Sequence, residues 1–143
     1  MAGQPLKLLL DTSIYIPFIN KGITNPTLDL GPDRSLLFMS AVVLEELYAG
    51  AHDPSSVKLL DKLYDVFISA NRLVVPDGRD WQKAGKIIAQ LERKYGFEEN
   101  YLARISHDIL IALCARRIGA TVVTKNTKDY LRIREFVDYR LAE

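Results

Sequence analysis

The chain has 143 residues, 48% apolar and 26% charged, which fits a single domain spanning residues 1–143 with one core. No apolar run approaches the ~20 residues that cross a bilayer, the first seven residues lack the charged start of a secretory leader, and the one cysteine, Cys114, cannot close an internal disulfide; together these point to a reducing cytoplasm and no membrane association. The net charge of +1 excludes a DNA-coating protein by bulk charge, but the stretch from Lys83 to Arg134 is mostly basic, which suits a polyanionic ligand.

In chain order, residues 6–10 form an apolar run that ends at Asp11 and reads as a buried strand. Residues 12–19 read as a helix that Asp11 or Thr12 can cap. Residues 21–34, rich in Gly, Pro, Asn and Asp, read as a long surface loop. A second strand is expected at 36–39, followed by a helix over 42–49 with Ser40 as its cap and Gly50 near its end. Asp53-Pro54-Ser55 opens a third helix that reaches about residue 70. Residues 72–75 predict a strand, and 80–95 a long amphipathic helix closed by Gly96. Ser106 is expected to open a helix through residue 117, closed by Gly119. A strand over 121–124, a short helix over 126–132 and a final edge strand over 136–139 complete the pattern. Short strands alternating with helices predict an α/β fold with a short, mostly parallel central sheet flanked by helices.

Ligands in such folds gather beyond the carboxyl ends of the strands. Asp11 follows the first strand directly, Asp129 lies five residues beyond Thr124, and Asp108 is expected in the first turn of a helix. Glu46 has Val42, Val43, Ala49 and Gly50 as its helical neighbours, a face on which an unpartnered charge is costly. Its neighbour Glu45 points about 100° away and is the competing choice. Each acid also has an ordinary role: a cap for Asp11, a helix-dipole partner for Asp108, an ion pair with Lys125 or Arg132 for Asp129, and a half-buried stem for Glu46.

Two carboxylates ~4 Å apart repel by about 4 kcal/mol at an effective dielectric of 20. Three or four together need protons or cations. Mg²⁺ or Mn²⁺ favours such oxygen ligands and promotes phosphodiester hydrolysis. Cys114, His52 and His107 have no zinc-finger spacing. Phosphorylation on Asp11 is disfavoured, because a haloacid-dehalogenase-like phosphatase needs a second Asp where this chain has Ser13, and a receiver domain needs acids ahead of residue 11. No GxxxxGK(S/T) or GxGxxG motif is present.

Four blocks carry a family resemblance. Leu8-Leu9-Leu10-Asp11-Thr12-Ser13, Ser40 to Ala51 with Glu46 before Leu47, Asp108 to Ala112 followed by Gly119 to Thr124, and Thr124 to Tyr130 with Asp129 before an aromatic resemble, in order and spacing, the blocks of PIN-domain ribonucleases, most of all the VapC-type toxins of type II toxin–antitoxin pairs. The resemblance implies a single PIN-like domain that cleaves single-stranded or loop RNA with Mg²⁺ or Mn²⁺. It also implies a homodimer and an antitoxin protein that covers the acids. Asp11, Glu46, Asp108 and Asp129 would be the catalytic metal ligands, for one or two ions. Some relatives carry an acid at the place of Asn126, which leaves open whether residue 126 or 129 is the fourth ligand position.

Thr12, Ser13, Thr124 and Asn126 are candidates to orient ligands or phosphate; their ordinary role is capping and turn formation, which is favoured for Ser13. Lys125, Lys128, Arg116 and Arg117 are candidates for RNA backbone contacts. Trp81, Tyr95, Phe97 and Tyr101 are read as core or interface aromatics rather than base-stacking platforms. The alternative to an enzyme is a catalytically silent PIN-fold module that binds RNA or protein without cutting.

Overall fold

The computed structural model describes residues 6–21 and 36–142; the loop expected at 21–34 lies almost entirely outside them. Five strands, β1 (Lys7–Leu10), β2 (Leu36–Ser40), β3 (Leu73–Val74), β4 (Thr121–Val123) and β5 (Arg140–Leu141), form one sheet in the order β3-β2-β1-β4-β5. Every pairing is parallel. Among the described residues six helices connect them: α1 (Thr12–Lys21), α2 (Ala41–Ala49), α3 (Pro54–Ser69), α4 (Gly78–Tyr95), α5 (Glu99–Ile118) and α6 (Thr127–Ile133).

β1 is the central strand, so both of its faces are covered. Leu8, Leu9 and Leu10 are accordingly all buried, as a continuous apolar run in a parallel sheet requires. From β1 the chain steps outward to β2 and β3, then returns to the other side of β1 with β4 and β5. The strand order therefore reverses between β1 and β4, where α/β sheets open a crevice at their carboxyl ends. Leu10 pairs with Val123, so Asp11 and Thr124 leave the sheet side by side at that crevice.

Local signals fix most helix ends. The Ser40 hydroxyl accepts from the Val42 amide at 3.1 Å. Asp53 caps α3 through the Ser56 amide at 2.8 Å, with Pro54 in the first turn. Asp77 and Asp80 form a reciprocal capping box on α4. Gly96 and Gly119 close α4 and α5 with φ of 65° and 69°, a conformation that costs a residue with a Cβ.

Two expectations fail. The helix expected from Ser106 begins at Glu99. Its buried positions Leu102, Ile105, Ile109 and Ala112 keep one apolar stripe running straight through Ser106. The Ser106 hydroxyl donates back to the Ala103 carbonyl at 2.6 Å, a mid-helix bond rather than a cap. The final strand is Arg140–Leu141, not 136–139. The Phe136 and Val137 amides instead donate to the Ile133 carbonyl at 3.0 and 3.2 Å, in the turn that ends α6. Val137 and Tyr139 are buried and Asp138 is exposed, so the alternation is real but belongs to an ordered turn packed on the core.

Candidate active site

Asp11 is buried at the carboxyl end of β1, and hydroxyls surround its carboxylate. Thr124 Oγ1 donates to Asp11 Oδ2 at 2.8 Å and Ser13 Oγ at 3.0 Å, while Tyr130 donates to Oδ1 at 3.2 Å. Ser13 Oγ also accepts from the Lys125 amide at 3.0 Å. Ser13 ties the start of α1 to the segment after β4 and holds Asp11 between them, the orienting role rather than the capping one.

Glu46 stands on α2 as the arrangement of its neighbours predicts. Glu45 is exposed, while Glu46 is half-buried and accepts from Thr12 Oγ1 at 2.8 Å. His107 Nδ1 lies 3.5 Å from the other Glu46 oxygen. Thr12 thus orients an acid of another helix, although it is the immediate neighbour of Asp11.

Asp108 is the tenth of the 20 residues of α5, not a first-turn residue, so complementing the helix N-terminus does not account for it. Its Oδ1 lies 3.4 Å from the Tyr130 hydroxyl. Burial first, then the charges of Asp11, Glu46 and Asp129, push the Asp108 carboxyl up to about 8. The Tyr130 hydroxyl has one proton for two carboxylate oxygens. Its shorter contact is with Asp11, at 3.2 Å against 3.4 Å for Asp108. Burial and both carboxylates push the Tyr130 phenol itself well above its ordinary range.

Asp129 sits in the first turn of α6. It accepts from Tyr101 at 2.5 Å and from Asn126 Nδ2 at 2.9 Å, and the Arg132 guanidinium is 4.0 Å away. Asn126 therefore holds Asp129 as a donor. Arg132 also lies over the rings of Tyr95, Phe97 and Tyr101, with Phe97 centred 4.9 Å away. This stack supports the fourth acid from behind, in keeping with a structural reading of those aromatics. Trp81 lies apart from it and is exposed.

Glu46, Tyr101, Arg104, His107, Asp108, Asn126 and Asp129 line one open cleft of about 470 Å³; Asp11 does not line it and is linked to Asp108 through the Tyr130 hydroxyl. The structure thus gathers all four acids at the sheet's carboxyl edge. As placed, no three His, Cys, Asp or Glu side chains among the described residues converge on a single ion. An all-oxygen site for Mg²⁺ does not need that, since this ion keeps several waters and is held through one or two carboxylates. The all-oxygen donor set, with the charges of Asp11, Glu46 and Asp129 adding to burial in raising Asp108, fits such an ion.

Two candidate cations lie elsewhere. Arg117 donates to Asp80 Oδ2 at 3.1 Å and to the Val75 carbonyl at 2.7 Å, fastening the end of α5 to the start of α4. Arg116 is near the same end of α5, far from Asp108. Sequence reasoning missed Tyr130 and His107 as site residues. The signal was their adjacency to Asp129 and Asp108; nothing in the sequence shows that a buried tyrosine reaches two carboxylates.

The sequence matches the PIN domain family model over residues 8–135. It is 28% identical over 131 residues to Ribonuclease VapC2 of Rickettsia felis, covering 90% of this chain and 93% of that protein. The structure resembles VapBC2 from Rickettsia felis bound to a promoter DNA fragment, with a TM-score of 0.66 and 25% identity over 96% of this chain and 98% of that one. It also resembles DNA-bound VapBC from Salmonella typhimurium, with a TM-score of 0.67 and 26% identity over 96% and 97% of the two chains.

Proposed function

The chain belongs to the PIN domain family, and on that premise we propose that it is a divalent-metal-dependent endoribonuclease, the toxin of a toxin–antitoxin pair. The observation that carries the reading is the Tyr130 hydroxyl shared by Asp11 and Asp108 at the strand-order reversal, with Glu46, Asp108 and Asp129 lining one cleft. The likeness to a protein called Ribonuclease VapC2 supports RNA as the substrate, and the VapBC complexes support an antitoxin partner. A homodimer and a preference for single-stranded or loop RNA belong to the same reading. So does a cytoplasmic setting, which suits the free, buried Cys114; among the described residues no helix is long and apolar enough to cross a membrane.

Asp11, Glu46, Asp108 and Asp129 would hold Mg²⁺ or Mn²⁺, in one or two sites. When bound, the ion would supply charge neutralisation at the phosphodiester and ease the loss of a proton from the attacking water. The chain's own groups prepare the site. Ser13, Thr124 and Tyr130 fix the Asp11 carboxylate, Thr12 fixes Glu46, and Asn126 with Tyr101 fixes Asp129. The Tyr130 hydroxyl also reaches Asp108, so one side chain positions both Asp11 and Asp108. Arg104 on the cleft wall, and the exposed Lys125 and Lys128 beside it, are placed to meet phosphate oxygens. Incubating the purified protein with labelled RNAs in Mg²⁺, Mn²⁺ or EDTA tests the reading. RNA that is bound but never cut in any divalent ion supports the silent module instead.

A further inference from the structure

A second concavity, of about 530 Å³, lies at the opposite end of the α5–β4–α6 flank. Arg116, Arg134 and Arg140 line it, together with Gly119, Thr121 and Asp138. All three arginines are exposed. Among the described residues none has a carboxylate oxygen within 4.0 Å, unlike Lys94, Arg117 and Arg132. Arg116 is in the last turn of α5, where a positive charge complements the helix dipole. That accounts for one arginine and not for the convergence of three from separate elements.

We propose that this arginine cleft is an anion exosite that grips the RNA backbone away from the scissile bond. The inference rests on the ribonuclease reading above. Guanidinium groups bind phosphate oxygens bidentately. Gly119, Ala120 and Thr121 form a wall of small residues, and the aromatic that also lines the cleft, Tyr139, is buried, so it offers no exposed anchor of the kind that dominates protein interfaces. The two clefts have no lining residue in common, but the same elements run from one to the other. α5 carries Asp108 near its middle and Arg116 near its end, α6 carries Asp129 in its first turn and is followed by Arg134, and β4 separates Thr121 from Thr124 by about 10 Å. An RNA longer than the acid cleft runs along this flank onto the arginines.

The test compares the chain with its Arg116→Gln/Arg134→Gln/Arg140→Gln variant, and with Lys58→Gln/Lys62→Gln on α3 as a charge control, all folded by circular dichroism. RNA affinity is read by fluorescence anisotropy in an Asp11→Asn background, and cleavage in the native background, on a long RNA and on a short oligonucleotide around its cut site. Three phosphate contacts on single-stranded RNA correspond to a salt slope of about 2. Raising salt from 50 to 200 mM should therefore weaken long-RNA binding about 20-fold more for the parent than for the triple variant. The triple variant should raise KM on the long RNA only, with kcat unchanged, and the control should match the parent. An unchanged slope and KM on long RNA overturns the exosite; a simultaneous loss of antitoxin affinity would make the cleft a protein contact. If the native chain cuts no RNA, the ribonuclease reading falls, while the anisotropy arm still decides whether the arginines hold RNA.

Discussion

Asp108 Oδ1 lies 3.4 Å from the hydroxyl of Tyr130, a side chain with no exposed surface. That contact gives the site a pH signature in the absence of metal. An unfolded aspartate loses its proton near pH 4, whereas folded Asp108 keeps it to about 8. Between these values the unfolded chain binds fewer protons, so the stability of the metal-free protein falls as pH rises through that window. Asp108→Asn should remove this slope and raise Tm at pH 8 by about 5 °C, equivalent to about 1–2 kcal/mol. Mg²⁺ should raise Tm of the parent more at pH 8.5 than at pH 6. Thermal melts across pH check both statements, and a flat metal-free profile would refute them.

Tyr130→Phe keeps the buried ring and removes only the hydroxyl shared by Asp11 and Asp108. Groups that orient metal ligands are worth about 10- to 100-fold in affinity or activity. The variant should fold, lose that factor in kcat, and require more Mg²⁺ for half-maximal rate. A Mg²⁺ titration of the cleavage rate reads both.

Asn126 donates to Asp129, so the amide is subordinate to the acid. Asp129→Asn should therefore reduce cleavage more than Asn126→Ala. Parallel rate measurements decide the order, and the reverse order would make residue 126 the ligand position.

Arg117 is bound to the Asp80 carboxylate and the Val75 carbonyl, away from the acids. Arg117→Met leaves Asp80 buried without its cation and should cost about 1–2 kcal/mol in urea unfolding. The cleavage rate per folded molecule should not change.

The strands and capped helices were legible in the sequence because their signals are local. Leu8 to Leu10 is an uninterrupted apolar run, Asp53-Pro54 is a helix start, and Glu46 lies on the apolar face of its helix while Glu45 does not. The start of α5 was hidden because Ser106 and Asp108 imitate a helix N-terminus, whereas the deciding stripe begins earlier, at Leu102. The last strand was misplaced because Val137 and Tyr139 alternate with Asp138 without pairing to a neighbour. The four acids could be chosen one at a time, but their supports could not. Thr12 with Glu46, Tyr101 with Asp129 and Ser13 with Thr124 are contacts across 34, 28 and 111 positions, set by the strand order rather than by spacing.

The most direct test of the account is cleavage of labelled structured RNAs by the parent chain, Asp11→Asn and Asp108→Asn, each in Mg²⁺, Mn²⁺ and EDTA, with divalent-ion binding followed by calorimetry. The account predicts cleavage by the parent in Mg²⁺ or Mn²⁺, none in EDTA, and a loss of at least about a hundredfold in both variants (about 2.7 kcal/mol of barrier), with folding intact and ion binding weakened. Undiminished cleavage in EDTA or by either variant, or a folded parent that binds no divalent ion, would contradict it.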